Sequence, residues 1–464
     1  MIPQSPGHWV SLETLIGVAP LLGFALDDRS SVRVRQDPAV ARTFRDTLTR
    51  AVDPALLDGF VVAPLDLLLS ADRREAHFLE LNGSGIGGLT NLPEDVVDAV
   101  LQSVTALGAT LRCDPGDVVV VAASERDPGA ARQENRLLYE KILIVDALRG
   151  ALAARGNAVA VTTLEALEEV GSRAVVLGFV GQLSRAFGVR DGQLTLRGRR
   201  VAAIVNDRLV LHAHERLGAP PELPFRAINS TFAAGADKAV AYGVLHDHPG
   251  ASRLVSPHCA HRLAYTRDEL VAAVLATRPA VLKPRSTGQA RGIEICLDPE
   301  AAPAEVEAAV DRSIAAATAV CPTDASPWPY TVCRWIDAAT VADPQHRAHG
   351  HKFELRIVVF RDGARLSALP AIAKVSSARW DPAHPTREML VNNVTWAAAR
   401  SGAPGHRYIL PLCEPATWLA LGIDADLLID LGHFALSYVE AALRSDIARG
   451  RRPLPTQHAP TPLR

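Results

Sequence analysis

The sequence predicts a mixed α/β (α+β) fold, and three observations in it do so. Between residues 113 and 224, short apolar runs alternate with stretches of helical periodicity, the pattern of a parallel sheet built from strand–helix–strand units. The alternation resumes after residue 226, where strand-like runs flank a loop rich in Ser, Thr and Gly. Two more segments, near residues 59–82 and 353–374, each read as two strands joined by a polar turn. With 464 residues, 48% of them apolar, the chain has the length for two or three domains and the composition to bury a large core.

In chain order, the first hairpin joins GFVVAPLDLLL to AHFLELN through a charged turn. A helix is expected over 93–107, with acids in its first turn and Gly108 behind it. A strand at 117–123, an amphipathic helix over 133–155 stopped by Gly156, and strands at 158–162, 173–178 and 201–205 make the α/β unit. The Pro-rich stretch 219–225 reads as its exit linker. Beyond it, helices are expected over 237–248, 267–278 and 302–320, with strands at 280–284, 292–297 and 330–336. A second hairpin, 353–360 with 364–374, turns at Asp362-Gly363. A helix spans 415–449, and the Pro-rich tail has the composition of a disordered segment. No internal repeat is present.

The formal net charge of −2 leaves no broad basic field for nucleic acid or a membrane surface. The six cysteines (Cys113, Cys259, Cys296, Cys321, Cys333, Cys413) are scattered without a C-x-x-C pair, which suits reduced thiols. The N-terminus lacks the basic start and apolar run of a signal peptide, and no apolar stretch is long enough to span a bilayer. The expectation is a cytosolic (cytoplasmic) protein with neither nucleic acid nor membrane as partner.

Chemistry concentrates in a few places. Asp66 lies in the first strand of the opening hairpin, and Glu80 and Asn82 close the second. Alternation puts Glu80 and Asn82 on one face, and strand pairing brings Asp66 to it. Three oxygen ligands before a loop of Gly83, Ser84, Gly85, Ile86, Gly87 and Gly88 form a pattern that holds Mg²⁺ against phosphates; the bland alternative is a plain hairpin and turn. Lys283 ends a strand before a second flexible loop, Ser286, Thr287, Gly288, Gln289 and on to Gly292, whose backbone N–H groups could wrap phosphate oxygens. That loop does not match the Walker pattern, and alone it also reads as a hairpin turn. Asp237-Lys238 marks a helix start, and Glu354 and Arg356 share a strand face, as a surface pair or as a site for a phosphoryl group or carboxylate. Lys374 ends the partner strand, and Asn392-Asn393 reads first as a turn. The histidine groups His346/His349/His351 and His212/His214 lack zinc-site spacing and read as solvated loop residues.

Together these pieces resemble the ATP-grasp ligases with their chain order circularly permuted. The resemblance covers most of residues 55–400. Asp237-Lys238 matches the lysine that precedes the clamp, and Lys283 with residues 286–292 matches the lysine and mobile flap. Arg334-Trp335-Ile336 matches the strand end whose backbone reads adenine. The family's acid before the aromatic is here Cys333-Arg334, so Asp337 stands in for ribose contact. Glu354-Leu355-Arg356 matches an acid–x–Arg strand, and Lys374 and Asn393 loosely match phosphate-side residues. The metal element that such ligases carry last is matched by Asp66, Glu80 and Asn82 near the front of this chain. The nearest relatives by this reading are peptide and amino-acid ligases of natural-product pathways, of the pheganomycin type.

The resemblance implies five segments. Residues 1–112 would complete the C-terminal half of the clamp, and 113–225 would form a Rossmann-like domain preceding it. Residues 226–336 and 337–450 would be the two halves of the clamp, and 451–464 a tail. It implies ATP and Mg²⁺, with Asp66, Glu80 and Asn82 on the metal, and Lys238, Lys283, the flap, Trp335–Asp337 and Asn393 on the nucleotide. Arg356 and Lys374 would be catalytic, and Gly83–Gly88 would receive substrate. The reaction would join the carboxylate and amine of amino acids or peptides through an acyl phosphate, and a homodimer is common for such enzymes. A phosphotransferase, expected to need a histidine at the phosphates, and a non-catalytic nucleotide-binding scaffold are the alternatives.

Overall fold

The computed structural model of the protein describes residues 31–83, 88–123, 135–156, 158–247, 261–288, 290–320, 326–390 and 405–449. The chain enters through two helices that sequence periodicity did not flag, α1 (Ser31–Arg35) and α2 (Pro38–Thr47). Asp37 caps α2 by accepting the N–H groups of Ala39 and Val40. After β1 (Thr49–Ala51) comes the expected hairpin, β2 (Val62–Leu69) and β3 (Ala76–Leu81), and then α3 (Glu94–Thr110).

The α/β unit follows. It holds β4 (Val118–Ala122), α4 (Asn135–Ala153), β5 (Val159–Thr162), β6 (Arg173–Gly178), α5 (Val180–Ala186), β7 (Phe187–Arg190), β8 (Gln193–Leu196), β9 (Arg199–Val205), α6 (Asp207–Arg216) and β10 (Arg226–Ile228). The strands order as β5-β6-β4-β9-β8-β7, with β10 also on β9. Pairs β5/β6, β6/β4, β4/β9 and β9/β10 are parallel, while β7 and β8 form an antiparallel edge. The all-valine run of β4 is buried throughout, as a strand covered on both faces requires. β10 lies beyond the Pro-rich stretch yet joins this sheet, so residues 219–225 do not mark where the sheet stops.

Next come α7 (Phe232–Ala236), α8 (Lys238–Asp247), β11 (His261–Ala264), α9 (Arg267–Thr277), β12 (Ala280–Lys283), β13 (Glu294–Cys296), α10 (Pro303–Thr318) and β14 (Tyr330–Arg334). The strands form an antiparallel sheet, β11-β14-β12-β13, with a small core of its own that includes Leu270, Val274, Leu282, Val310 and Val332. The last segment holds β15 (His351–Asp362), β16 (Arg365–Arg379), α11 (Arg387–Leu390), β17 (Ile409–Pro411), α12 (Pro415–Leu421) and α13 (Ala425–Ala448). The single helix expected over 415–449 is two, because Gly422 adopts φ 67° as the left-handed cap of α12. The hairpin β15/β16 is longer than expected, so Lys374 lies within its strand rather than at the end.

The remaining sheet joins the two ends of the chain. Its order is β1-β16-β15-β2-β3, with β17 on β16 and all pairs antiparallel. β2 therefore sits between β3 and β15, with Asp66 opposite Arg356 on one side and Glu80 on the other. β2 and β3 pair in register up to Asp66, after which a bulge leaves Leu79 without a partner in the ladder. α3 packs on β15, α2 on β16, and α13 on both. Among the described residues, no helix is long and apolar enough to cross a membrane.

Two buried polar links fix the units to one another. Val61 N–H donates to Asn229 Oδ1 at 2.8 Å, and Asn229 Nδ2 donates back to the Val62 carbonyl, tying the end of β10 to the start of β2. Arg285, 1% exposed, donates to Asp237 at 2.8 Å and to Glu215 at 2.9 Å, joining the segment after β12 to the start of α8 and the end of α6. Removing one partner of a buried pair strands the other charge. Arg285→Ala should therefore cost about 3–5 kcal/mol of folding stability, measured by chemical denaturation; a loss below 1 kcal/mol would contradict this role.

Candidate active site

A cleft of about 580 Å³ opens between the β11–β14 sheet and the face of the large sheet that carries Glu80. Both sheets supply its apolar walls, with Leu68 and Phe78 from one and Val281, Ile295 and Cys333 from the other. Such a slot suits a flat, partly apolar ligand with charged groups at one end.

Strand alternation sets the charged end. Glu354, Arg356, Asp66, Glu80 and Lys374 occupy facing positions on β15, β2, β3 and β16. Arg356 grips Asp66 in a fork, Nε to Oδ1 and Nη2 to Oδ2, both at 2.7 Å. Lys374 Nζ donates to Asp66 Oδ2 at 3.0 Å and also pairs with Glu354. Asn82 Nδ2 donates to Asp66 Oδ2 at 3.1 Å and to Glu80 Oε1 at 3.3 Å, so the expected trio of Asp66, Glu80 and Asn82 does come together.

Burial alone would raise the Asp66 carboxyl, but the Arg356 and Lys374 cations outweigh it and hold this acid well below the usual carboxylate range. Glu354 is pushed up to about 7 by burial, against the pull of Lys374 and with the help of the Asp66 and Glu80 charges. The formal charges of the cluster do not cancel either. Three carboxylates (Asp66, Glu80, Glu354) share two cations (Arg356, Lys374), which leaves one negative charge in excess. A proton on Glu354 or a bound cation offsets it.

Glu80, Glu354 and Asn82 line the cleft. Their oxygen donors and the excess charge fit a hard divalent cation such as Mg²⁺. Asp66 stands a layer behind, 1% exposed, with its oxygens engaged by Arg356, Lys374 and Asn82. Among the described residues, no three His, Cys, Asp or Glu side chains converge on a common ion position. The metal would therefore be held by Glu80, Glu354 and the Asn82 amide, with Asp66 orienting the cations around it. Arg356 likewise sits behind the cleft wall, whereas Lys374 is part of it.

Lys283, the last residue of β12, lines the cleft and donates to Tyr242 Oη at 2.9 Å and the Leu79 carbonyl at 3.2 Å. The bulge at Leu79 releases that carbonyl from the strand ladder, so the lysine is positioned by neutral oxygens. Lys238 instead donates to the Thr287 carbonyl at 2.9 Å and lies behind the flap, holding its backbone. Ser286 and Thr287 are buried, and Thr287 and Gly288 form part of the wall. Gly292, at φ 69°, serves packing: a Cβ there would lie 2.8 Å from Ala317 Cβ. Gly83 and Gly88 are described and buried. Ser84, Gly85, Ile86, Gly87, Gln289, Asn392 and Asn393 lie outside the described residues, as do Cys259, Cys321 and the tail.

At the other end, Trp335, Ile336 and Asp337 line the cleft just past β14. Trp335 N–H donates to the Pro279 carbonyl at 2.8 Å, so that backbone group is engaged within the protein. Asp337 Oδ1 accepts from Lys352 Nζ at 2.6 Å, and that lysine lies 4.2 Å from the Trp380 ring centre. Ala71 N–H donates to the Asp337 carbonyl at 3.0 Å, closing this end with the tip of the β2/β3 hairpin.

Sequence reasoning missed Tyr242, Arg208 and His77 on the cleft wall. Tyr242 and Arg208 sit inside helices with no motif around them, whereas His77 precedes Glu80 on the same strand. His212 and His214 are buried in helix α6 rather than solvated in a loop, because an apolar helix face carries them inward.

No family model matches the chain, and no curated protein matches it. Among solved structures, it is similar to a chain described as "Putative gamma-glutamylcysteine synthetase" from Methylobacillus flagellatus KT. Identity is 13%, with 96% of this chain and 99% of that chain covered, at a TM-score of 0.42. It is also similar to a glutathione synthetase like-effector from Globodera pallida in its apo form, at 10% identity over 78% and 83% of the two chains, TM-score 0.31. At these values the residues of the cleft, rather than the likenesses, carry the functional reading.

The depressed Asp66 acid links stability to pH. Its folded value lies below the ordinary 3.8, so its contribution is complete above that pH and is lost as pH falls. Thermal unfolding of Asp66→Asn should show a large deficit against wild type at pH 6–7 that narrows below about pH 4. A deficit independent of pH would contradict the ion-pair role. At the hairpin end, Gly83→Ala would put its Cβ 1.8 Å from Asp207 Oδ2, and should lower the melting temperature or disrupt the cleft; an unchanged melting curve and unchanged ATP binding would contradict the close approach.

Proposed function

We propose that the protein is an ATP-dependent carboxylate–amine ligase of circularly permuted ATP-grasp type. Its substrates would be amino acids or peptides of natural-product biosynthesis in the cytoplasm. One observation carries the reading. A cleft between two antiparallel sheets ends in a cluster with one excess formal negative charge, built on buried Asp66 and Arg356 with half-buried Glu80, Glu354 and Lys374, beside a lysine and a glycine-containing flap. The strand pairing supports the permuted order, since the hairpin holding Asp66, Glu80 and Asn82 inserts beside β15 although it precedes it by almost three hundred residues.

A carboxylate is a poor acylating agent in water, and ATP overcomes this by phosphorylating it. One carboxylate oxygen attacks the γ-phosphorus, and ADP leaves. The amine then attacks the acyl-phosphate carbonyl, loses a proton and expels inorganic phosphate. Lys283 and Lys374 offset phosphate charge in the cleft, and Arg356 fixes Lys374 through their shared Asp66. Glu80, Glu354 and Asn82 would hold Mg²⁺, which would supply positive charge against the phosphates during transfer. The Ser286–Gly288 flap, held from behind by Lys238, shields the acyl phosphate from water. Trp335–Asp337 receive the nucleoside.

The phosphotransferase alternative now has one histidine to consider, since His77 lines the cleft with its Nε2 3.6 Å from Glu75. Burial lowers its pKa, which favours the neutral ring. If His77 carried a phosphoryl group, His77→Asn would abolish turnover and a phosphohistidine would be trapped on wild type. The ligase reading predicts no phosphoenzyme.

The direct test is ADP release from purified protein across pairs of amino acids and short peptides. Release should require both an acid and an amine. Glu80→Gln should cut it by roughly 100-fold or more while keeping much of the ATP affinity. ATP turnover that ignores every carboxylate, or an unimpaired Glu80→Gln enzyme, would sink the assignment.

A further inference from the structure

We infer that Arg208 is the recognition residue the α/β unit contributes to this cleft, and that it grips a substrate carboxylate that is not the one activated. This deepens the ligase reading and rests on it. Among the described residues lining the cleft, Arg208 alone comes from the span 113–225.

Its placement is built rather than incidental. Arg208 is the second residue of α6, whose start is fixed by Asn206 accepting the Leu209 N–H at 3.0 Å. The preceding residue, buried Asp207, abuts Gly83 so closely that any Cβ there would strike its carboxylate. Gly235 closes the same contact, since its own Cβ would lie 3.2 Å from the Gly83 nitrogen. The helix start is thus wedged against the hairpin end that carries Asn82. On the flap side, a Cβ on Gly288 would lie 2.4 Å from both terminal nitrogens of Arg208. The guanidinium thus lies directly against the flap at Gly288.

The chemistry follows from position. Lys283 and Lys374, both from the clamp, already meet phosphate charge, and the nucleoside end is at Trp335–Asp337. Arg208 stands where the hairpin end, the flap and the α/β unit meet, so a substrate leaving the phosphates toward that unit passes it. A planar guanidinium suits bidentate grip of a carboxylate. Two sources can supply one: a second carboxylate on the acid, or the free carboxylate of an amino-acid or peptide amine. The substrate class is therefore an acid–amine pair bearing a carboxylate beyond the one joined.

The test uses full-length wild type, Arg208→Lys and Arg208→Met with the acid–amine pair giving most ADP release. Each partner is replaced in turn by its carboxamide at the unreacting carboxylate. Binding of a non-hydrolysable ATP analogue with Mg²⁺ is measured beside it. Wild type should lose roughly 10- to 100-fold in kcat/KM toward one of the carboxamides, which names the source. Arg208→Met should raise KM for that partner by a similar factor, no longer discriminate its carboxamide, and bind the ATP analogue within about 2-fold of wild type. Arg208→Lys, keeping the charge but losing the fork, should fall between. Weakened analogue binding with substrate KM unchanged would assign Arg208 to phosphate and overturn the inference alone. So would a wild type indifferent to both carboxamides, a result that needs no variant to fold. No ADP release with any pair would overturn the ligase reading and this inference with it.

Discussion

The buried carboxylate of Asp66 is the constraint to which the cleft is referred. A carboxylate taken out of water costs several kcal/mol unless cations and hydrogen bonds replace the solvent. Here the replacements come from three other strands: Arg356 on β15, Lys374 on β16, and Asn82 just beyond β3. All can meet it only if β2 lies between β3 and β15 in one register. A slip of one residue would turn Asp66 to the other face, breaking the Arg356 fork and leaving Lys374 with Glu354 alone of the two acids. The ion pairs therefore specify how the front of the chain inserts beside its last hairpin.

The same cluster sets what the cleft can do. Asp66 takes the fork of Arg356 and shares Lys374 with Glu354, so Glu80 and Glu354 face the cleft with charge left over. That residue of negative charge invites a cation, and the lysines nearby invite an anion; a metal-bound polyphosphate is both. On the opposite wall, Tyr242 and the bulged Leu79 carbonyl aim Lys283 without neutralising it. Arg285 binds Asp237 and Glu215 beneath the flap, so the flap's root is rigid while Gly288 stays at the surface of the cleft. Rigid roots with a glycine at the contact point are what a closing lid needs.

What could be read from the sequence was local. Alternation along 76–82 put Glu80 and Asn82 together, and the hairpin brought Asp66 to them. The valine run of β4 and the periodicity of α3 announced themselves in the same way. The division of labour did not. Nothing in the spacing shows that Asp66 is saturated by Arg356 and Lys374, because those residues lie about three hundred positions away. Lys238 was expected at the phosphates, and it donates to a backbone carbonyl on the flap, a contact no side-chain pattern records. Arg208 looks like any surface arginine in a helix until the fold sets its helix start against Gly83, through Asp207, and its guanidinium against Gly288.

The central claim is that a carboxylate is activated by phosphorylation in this cleft, and the fate of one oxygen atom tests it. The acid substrate is labelled with ¹⁸O in its carboxylate, turned over with ATP and the amine, and the released phosphate is examined by mass spectrometry. An acyl phosphate transfers one carboxylate oxygen to phosphorus, so the account predicts one ¹⁸O in each inorganic phosphate formed. Unlabelled phosphate would mean ATP hydrolysis uncoupled from the acid, and label in AMP would mean adenylation; either would contradict it.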